Sequence, residues 1–216
     1  MVEGLGVKLI LLESPLELVP KELWSHPQVV RTSRRYGVGP GEIILDKSLH
    51  YNAMEPLPQK WKRGRPDIVH TTLLVIQDTI LPRGMVDVYI HVYDGRVYRL
   101  HPDVRLPKHL DRFKGLMAQL LRHDRVPLEG DPLIWLSHKS LREFAAEHRI
   151  ILMWERGRRV TPGYVAVRAL TTGAAIGIGM FPRGDFKKST LRKAWERYSI
   201  AGGAPLKAWA VSYTHL

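Results

Sequence analysis

Hydrophobic and polar positions alternate along several short segments of the chain and predict β-strands. Residues 7–12 are mostly apolar, and a run this short is typical of a buried strand. Residues 86–92 place apolar side chains at every second position, the period of a half-buried strand. Asp94-Gly95 follows as a hairpin turn signal, so residues 96–100 are expected to return as its partner. Residues 73–76 are predicted as a further strand of this set.

Other segments show helical spacing, or combine with strands into a layered unit. Apolar residues between Leu110 and Leu121 recur on one face of a helix, with Pro107 expected in its first turn. Strands at 133–136 and 150–154 flank a helix at 140–148, a unit that favours a parallel sheet. A glycine-rich strand is predicted at 174–181. Further helices are predicted at 43–53, at 189–197 and from Leu206 onward. These elements predict one α/β domain with a mostly parallel sheet.

The charge balance indicates a polyanionic partner. The chain of 216 residues carries 33 Lys and Arg against 21 Asp and Glu, a formal net charge of +12, and 21 of the cations are Arg. Arginine favours bidentate contacts with phosphate, which fits nucleic-acid binding. The alternative is the ion-pair surface of a thermophilic protein, but such networks need acids in similar number to the cations.

The absence of cysteine excludes disulfides, thiolate metal sites and cysteine nucleophiles. No apolar run reaches the roughly 20 residues of a membrane span, and the first 15 residues lack the cationic start of a signal peptide. The sequence therefore predicts a soluble cytoplasmic protein. The histidines show no HxH or HxxxH spacing, so no metal site is expected.

Two basic segments form the first candidate site. Residues 56–66 read as a loop with four cations and no acid, and Asp67 directly after it is placed to orient Arg65. Lys108 and Arg112 are four residues apart, so they are expected to share the positive end of the following helix, with Arg105 entering from the preceding turn. The alternative is an ordinary solvated helix face.

Two glycine-containing loops form the second candidate site. One follows the strand at 174–181 and includes Gly179 and Gly184, and the other spans residues 198–206. Glycine at the carboxyl end of a parallel strand lets the backbone approach a ligand. Neither loop matches a dinucleotide or ATP-binding pattern, and both are also compatible with tight turns in a compact sheet.

Several long motifs add a resemblance to these patterns. They include RGRPDIVHTTLL, VDVYIHV, RLPKHLDRFKGLMAQLL, GMFPRGDF and YSIAGGAPLKAW. The chain resembles archaeal members of the SPOUT-class ribosomal RNA small-subunit pseudouridine N1-methyltransferases, which act in ribosome biogenesis. The resemblance runs almost end to end.

The resemblance implies a fold, a cofactor and partners. The expected fold is an α/β-knot, a single domain over residues 1–216 with family-specific insertions and a C-terminal trefoil knot, assembled as a homodimer. The expected cofactor is S-adenosylmethionine, and the expected partner is small-subunit ribosomal RNA with a pseudouridine in a stem-loop. No metal and no membrane are implied.

The resemblance also assigns site residues by position. RNA contacts fall on Arg65, Arg105, Lys108 and Arg112, with Asp67 orienting Arg65; some relatives have Arg at the position of Lys108. Cofactor contacts fall on Thr161, Gly179, Gly184, Ser199, Ile200, Ala201, Gly202, Gly203, Ala204, Pro205 and Leu206.

The implied reaction methylates N1 of a pseudouridine, mostly by positioning the reactants. No residue is identified as the general base, since Asp67 is already assigned to Arg65. Two alternatives stay open: an RNA-binding assembly factor without catalysis, and an enzyme that modifies another nucleotide, such as a transfer-RNA base. The resemblance weakens after Trp209, where relatives continue the last helix and this chain reads VSYTHL. A reduced knot and dimer surface is therefore expected.

Overall fold

The structure, a computed structural model, describes residues 6–79 and 85–201. One eight-stranded sheet forms its centre, in the spatial order β4-β5-β3-β2-β1-β7-β6-β8. The strands are β1 (Val7–Ser14), β2 (Val86–Val92), β3 (Val97–Leu100), β4 (Arg125–Val126), β5 (Ile134–His138), β6 (Ile150–Arg159), β7 (Ala175–Gly179) and β8 (Ala194–Ser199). Strands β2, β1, β7, β6 and β8 run parallel, and β3 joins β2 and β5 in antiparallel fashion, as β4 joins β5. The expected mostly parallel α/β sheet is confirmed.

Helices cover both faces of the sheet. They are α1 (Pro27–Tyr36), α2 (Lys47–His50), α3 (Pro66–Thr79), α4 (Leu110–His123), α5 (Leu141–Glu147), α6 (Pro162–Thr172) and α7 (Lys188–Leu191), with 3-10 turns at Lys21–Leu23, Pro40–Glu42 and Lys60–Lys62. Helices α3, α4 and α6 bury their apolar stripes on one face together with Leu9 and Leu11. Helix α5 packs on the other face with Ile10 and Leu12. The alternation along β1 thus supplies both layers of the core.

The segment between β1 and α3 forms a small layer with its own core. Val19, Leu23, Val29, Ile43 and Leu45 are buried there together with Ala53, Met54 and Leu57. Residues 58–65, which connect this core to α3, are called the 60s loop below. Leu18 and Ile44 form an antiparallel bridge. This layer lies beside α4, and residues of both line a cavity that is described below.

Local signals set the helix ends. Thr161 caps α6 by accepting a hydrogen bond from the Tyr164 N–H at 3.3 Å, Pro162 occupies the first turn, and Gly173 ends the helix with φ +66°. Helix α4 is capped by His109, whose side chain accepts from the Asp111 N–H at 3.3 Å. Pro107 therefore lies before the helix, and its expected place in the first turn is wrong.

Three predicted elements differ in the structure. Residues 73–76 belong to helix α3, because Val69, Leu73 and Ile76 form a buried helical stripe that a short apolar run does not reveal. The helix predicted at 189–197 is α7 followed by β8, since pairing with β6 draws the polar residues after α7 into a strand. The helix predicted at 43–53 is helical only over α2.

Some expectations lie outside the described residues. The helix predicted from Leu206 and the threaded C-terminal segment of the knot fall within 202–216 and stay predictions. Within 6–79 and 85–201, no helix is long and apolar enough to cross a bilayer.

Candidate active site and nucleic-acid interface

The carboxyl ends of the central parallel strands gather the candidate cofactor residues at one edge of the sheet. Gly179 ends β7 opposite Leu12 of β1, and the Met180 N–H donates to the Leu12 carbonyl at 2.9 Å. At the end of β6, the Val160 N–H donates to the Ser199 carbonyl at 3.0 Å, which sets Thr161 beside the end of β8. Of the predicted set, the structure brings Thr161, Gly179, Gly184 and residues 199–201 to this edge, and residues 202–206 lie outside its described part.

Residues 180–187, which connect β7 to α7, are called the glycine loop below. Gly179 directly before this loop and Gly184 within it are required for different reasons. A Cβ at Gly179 would lie 2.8 Å from Cζ of Phe186 and 3.0 Å from Cε1 of Phe181, so close ring contact requires glycine here. The sequence interpretation attributed Gly179 to backbone contact with a ligand, and that contact stays a prediction. Gly184 has φ +92°, a conformation that side chains rarely adopt.

A buried carboxylate, Glu13, ties this loop to the strands beneath it. Its Oε2 accepts from the Lys62 ammonium at 2.8 Å, and its Oε1 accepts from the Lys187 N–H at 2.7 Å. The Glu13 N–H donates to Nδ1 of His91 on β2 at 3.1 Å. Lys62 also lies 4.1 Å from the ring centre of Phe181. Glu13 therefore joins β1, β2, the 60s loop and the glycine loop at one point.

A second buried pair lies next to the first. Arg63 donates to both carboxylate oxygens of Glu17, from Nε at 2.8 Å and from an Nη at 2.6 Å. Burial raises the pKa of Glu17, and Arg63 offsets part of that rise. Burial also lowers the pKa of His91 to about 4, which leaves its ring neutral and able to accept from Glu13. The end of β1 is thus a rigid polar support for the loops above it.

Sequence reasoning missed these two pairs. It placed the four cations of this segment together in one basic loop, but the side chains of Lys62 and Arg63 are only 7% and 5% exposed and are paired with acids. The available signal was Glu13 and Glu17 directly after a buried strand, two acids that need cationic partners once buried.

The 60s loop connects the glycine loop to the predicted RNA contacts. A Cβ at Gly184 would lie 3.2 Å from the Trp61 indole nitrogen, and the Trp61 side chain is half-exposed. Arg65 follows four residues later. It forms a bidentate pair with Asp67, with Nε–Oδ1 and Nη–Oδ2 distances of 2.8 and 2.7 Å. This hydrogen bonding raises the pKa of Arg65, which keeps a charged fork at the surface.

The other predicted RNA contacts are exposed around the start of α4. Arg105 and Lys108 lie in the connection before the helix and Arg112 lies in its first turn. Lys108 precedes the cap residue His109, so the expected helical face shared by Lys108 and Arg112 is wrong. The connection is held in place by α3, whose His70 donates from Nε2 to the Pro107 carbonyl at 2.8 Å.

A buried lysine links the starts of α2 and α4. Lys114 Nζ lies 2.8 Å from a carboxylate oxygen of Asp46 and 2.8 Å from one of Asp111. Burial favours the neutral forms of Asp46 and Lys114, but their hydrogen bonds outweigh it, so the pKa of Asp46 is lowered and that of Lys114 is raised. Asp46 also interacts electrostatically with Arg65. Asp46 therefore lies near Arg65 as well as beside the first turn of α4.

One group of side chains among the described residues has the composition of a metal site. Donor atoms of His138, Glu147 and His148 lie within 4.8 Å of one another, on the sheet face covered by α5. His138 Nε2 already lies 3.1 Å from Glu147 Oε2, a hydrogen-bond distance that holds β5 to α5. The expectation that the protein uses no metal is not tested by this arrangement.

Comparisons with known proteins show which family the chain is similar to. The family model described as EMG1/NEP1 methyltransferase matches residues 9–215. The chain is 58% identical over 209 residues to the ribosomal RNA small subunit methyltransferase Nep1 of Aeropyrum pernix, covering 95% of this chain and 93% of that protein. It is 40% identical over 197 residues to the Nep1 of Saccharolobus solfataricus, covering 91% and 88%.

A solved structure is similar along nearly the whole chain. It is the crystal structure of Archaeoglobus fulgidus Nep1 bound to S-adenosylhomocysteine, with a TM-score of 0.85 and 33% sequence identity. The match covers 96% of this chain and 94% of that one. The fold is therefore shared with a protein whose structure contains bound S-adenosylhomocysteine.

Proposed function

Because the chain belongs to the EMG1/NEP1 methyltransferase family, we propose that it transfers a methyl group from S-adenosylmethionine to small-subunit ribosomal RNA. The target proposed is N1 of a pseudouridine, as the sequence resemblance implies. One observation carries the proposal: the 60s loop touches the glycine loop at Trp61 and ends at the exposed, pre-oriented Arg65. A nucleotide held by Arg65 is thereby close to the candidate cofactor loops.

The residues at the sheet edge fit a nucleoside-like cofactor. Residues 180–184 and 199–201 lie at the carboxyl ends of β7 and β8, beside apolar side chains such as the partly buried Ile200. Thr161 would border this site, and residues 202–206 would complete it. S-adenosylmethionine supplies an activated methyl group when it is bound. The contribution of the chain is to shape the loops, which Glu13 does through Lys62 and Lys187.

The cations around α3 and α4 are proposed to hold the RNA. Arg105, Lys108 and Arg112 would bind phosphates on either side of a nucleotide turned out of its stack. Arg65 would reach the same strand in the single orientation that Asp67 enforces. Both Asp67 oxygens accept from Arg65, which favours an orienting role over proton abstraction.

The wider organisation is also part of the proposal. The chain would form one domain with family-specific insertions, a C-terminal knot and a homodimer in the cytoplasm. Size-exclusion chromatography with light scattering tests the dimer.

A methyl-transfer assay tests the activity. Tritium should move from S-adenosylmethionine to a pseudouridine-containing stem-loop of small-subunit ribosomal RNA and not to the same stem-loop with uridine. RNA binding without transfer would instead indicate an assembly factor that does not catalyse. Transfer to the uridine RNA, or to transfer RNA alone, would contradict the proposed target.

A matched pair of variants tests the RNA surface. Arg105→Ala should weaken RNA binding and flatten its salt dependence, with binding of S-adenosylhomocysteine unchanged. Arg142→Ala removes an equally exposed cation on α5, across the sheet, and should change neither. Equal effects of the two substitutions would refute the assigned surface.

A further inference from the structure

A large cavity lies between α4 and the small layer formed by the segment between β1 and α3, outside the candidate active site. It has a volume of about 480 Å³, within the range of small-molecule sites. Ile43, Ile44, Leu49 and Ala118 supply apolar walls. The Tyr36 side chain stands at its border, about one-third exposed. The cavity is therefore reached from the surface and could enclose a planar ring.

The charges that line the cavity are paired with one another. Lys114 lies 2.8 Å from an Asp111 oxygen, and Arg122 lies 2.6 Å from a Glu42 oxygen. A charged ligand would have to displace one of these partners. A neutral ligand would not, so the interior suits an uncharged group with apolar faces.

Two side chains of the cavity can recognise such a group. Gln119 makes no hydrogen bond to any residue within 6–79 and 85–201, and its amide offers both a donor and an acceptor. The Tyr36 ring can stack on a flat ligand, and its hydroxyl is held by Asp111 at 3.1 Å. Stacking on an aromatic ring together with amide hydrogen bonds is the usual recognition of an unpaired nucleobase.

The rim of the cavity carries further cations, beyond the paired Lys114 and Arg122 of its lining. Arg34 and Arg35 are exposed at the end of α1, and Arg35 lies 5.8 Å from the ring centre of Tyr36. Arg112 precedes Gly115 and Gln119 on one row of α4, since these residues are three and seven positions apart. None of the three arginines forms an ion pair with the described residues. Phosphates on both sides of a base would find partners here.

We infer that this cavity is a subsite for a second unstacked base of the RNA, one that flanks the methylated nucleotide. The inference rests on the proposed function. Arg112 belongs both to the predicted RNA surface and to the rim, so one strand can pass from the active site across the opening. The base enters the neutral interior, and its phosphates stay with the arginines of α1 and α4. The small layer between β1 and α3 would thereby contribute to sequence selection.

Substitutions at Gly115 test the interior without disturbing the fold. A Cβ at this position would meet no heavy atom of the described residues within 4 Å, and the position borders the cavity. Gly115→Phe should fill the space and weaken binding of the pseudouridine stem-loop about tenfold, the usual effect of losing one base contact. Gly115→Ala is the control and should bind as the wild type does. Both variants should unfold at or above the wild-type temperature and should bind S-adenosylhomocysteine equally.

RNA with single abasic positions identifies the base. One loop position other than the target should, when abasic, weaken binding to the wild type about tenfold. The same abasic RNA should lose nothing further with Gly115→Phe, because the contact is already absent. Additive losses at every position would overturn the inference.

Charge variants test the rim. Arg34→Ala with Arg35→Ala should reduce the slope of log K against log salt by about 1.4, the value for two single-strand phosphates. Lys139→Ala with Arg142→Ala removes two exposed cations near α5 and should leave the slope unchanged. Equal slopes for the two double variants would overturn the role of α1.

The outcomes separate this inference from the proposed function. If the wild type methylates the stem-loop and Gly115→Phe binds it as Gly115→Ala does, the subsite is refuted and the activity stands. The cavity would then belong to another occupant, such as a protein segment or a small metabolite. If the wild type neither binds nor methylates the RNA, both the proposed function and the base subsite are refuted.

Discussion

Replacing Glu13 by glutamine removes the negative charge on which the candidate active site is built. The paired side chains of Glu13 and Lys62 are only 4% and 7% exposed, so water cannot solvate the lysine once its partner is neutral. Removing one partner of a buried pair costs about 3–5 kcal/mol. Gln can still accept from the Lys187 N–H, which limits the damage to the loop contact.

The expected loss is large enough to measure by thermal unfolding. We expect Glu13→Gln to lower the free energy of unfolding by about 4 kcal/mol, which at roughly 2–4 °C per kcal/mol corresponds to about 8–16 °C in Tm. Calorimetry with S-adenosylhomocysteine, at a temperature where the variant is folded, should also show weaker binding. The reason is that Lys62, left without its carboxylate partner, no longer joins the 60s loop to β1 beneath the glycine loop.

Two further variants separate the buried pair from other effects. Lys62→Met in the Glu13→Gln background removes the unpaired charge and should recover much of the lost stability. Glu55→Gln breaks the exposed pair with Lys60 and should cost less than about 1 kcal/mol. A Glu13→Gln variant no less stable than Glu55→Gln would refute the reasoning, because burial would then carry no penalty.

Three other predictions concern the RNA contact, acid stability and the glycine loop. Asp67→Asn should weaken RNA binding about fivefold, since a half-exposed bidentate pair is worth about 1 kcal/mol, and an unchanged Kd in filter binding would contradict the orienting role. Burial lowers the pKa of His50 and of His91 to about 4 from 6.5, so each stays neutral in the fold while the unfolded chain binds a proton. The free energy of unfolding should therefore fall as pH drops from about 6.5 to 4, by up to about 3 kcal/mol per histidine, and urea titrations that are flat across this window would disagree. Gly184→Ala forces a side chain onto φ +92° and should cost about 1–3 kcal/mol in chemical denaturation, whereas an unaltered midpoint would show that the loop relaxes freely.

Local sequence patterns were sufficient to predict an element wherever its own periodicity shows which of its faces is buried. The alternation in β2, the Asp94-Gly95 turn and the apolar stripe of α4 each predicted the element that the structure shows. Their periods reflect which face must be buried, and that information is contained within a few turns or strand pairs. The basic surface was also predictable, since Arg65, Arg105, Lys108 and Arg112 lie in segments with few competing acids.

Elements that depend on distant partners were not predictable in this way. Residues 194–199 are rich in charged and aromatic side chains and become β8 only because β6 offers an edge to pair with. The 73–76 segment reads as a strand in isolation, and its place in α3 follows from burial against α4 and the sheet. Such choices are made by tertiary contacts that a short window of sequence does not contain.

The sequence by itself therefore determined the layered α/β fold, the positive surface and, through its long motifs, the family. Tertiary structure alone decided which charges stay in water. Lys62 and Arg63 stand three and two residues before Arg65, yet they are buried against Glu13 and Glu17, while Arg65 stays at the surface with Asp67. The physical reason is that the sequence specifies which residues are charged and which are their neighbours along the chain. Desolvation depends instead on which distant segments pack against each side chain.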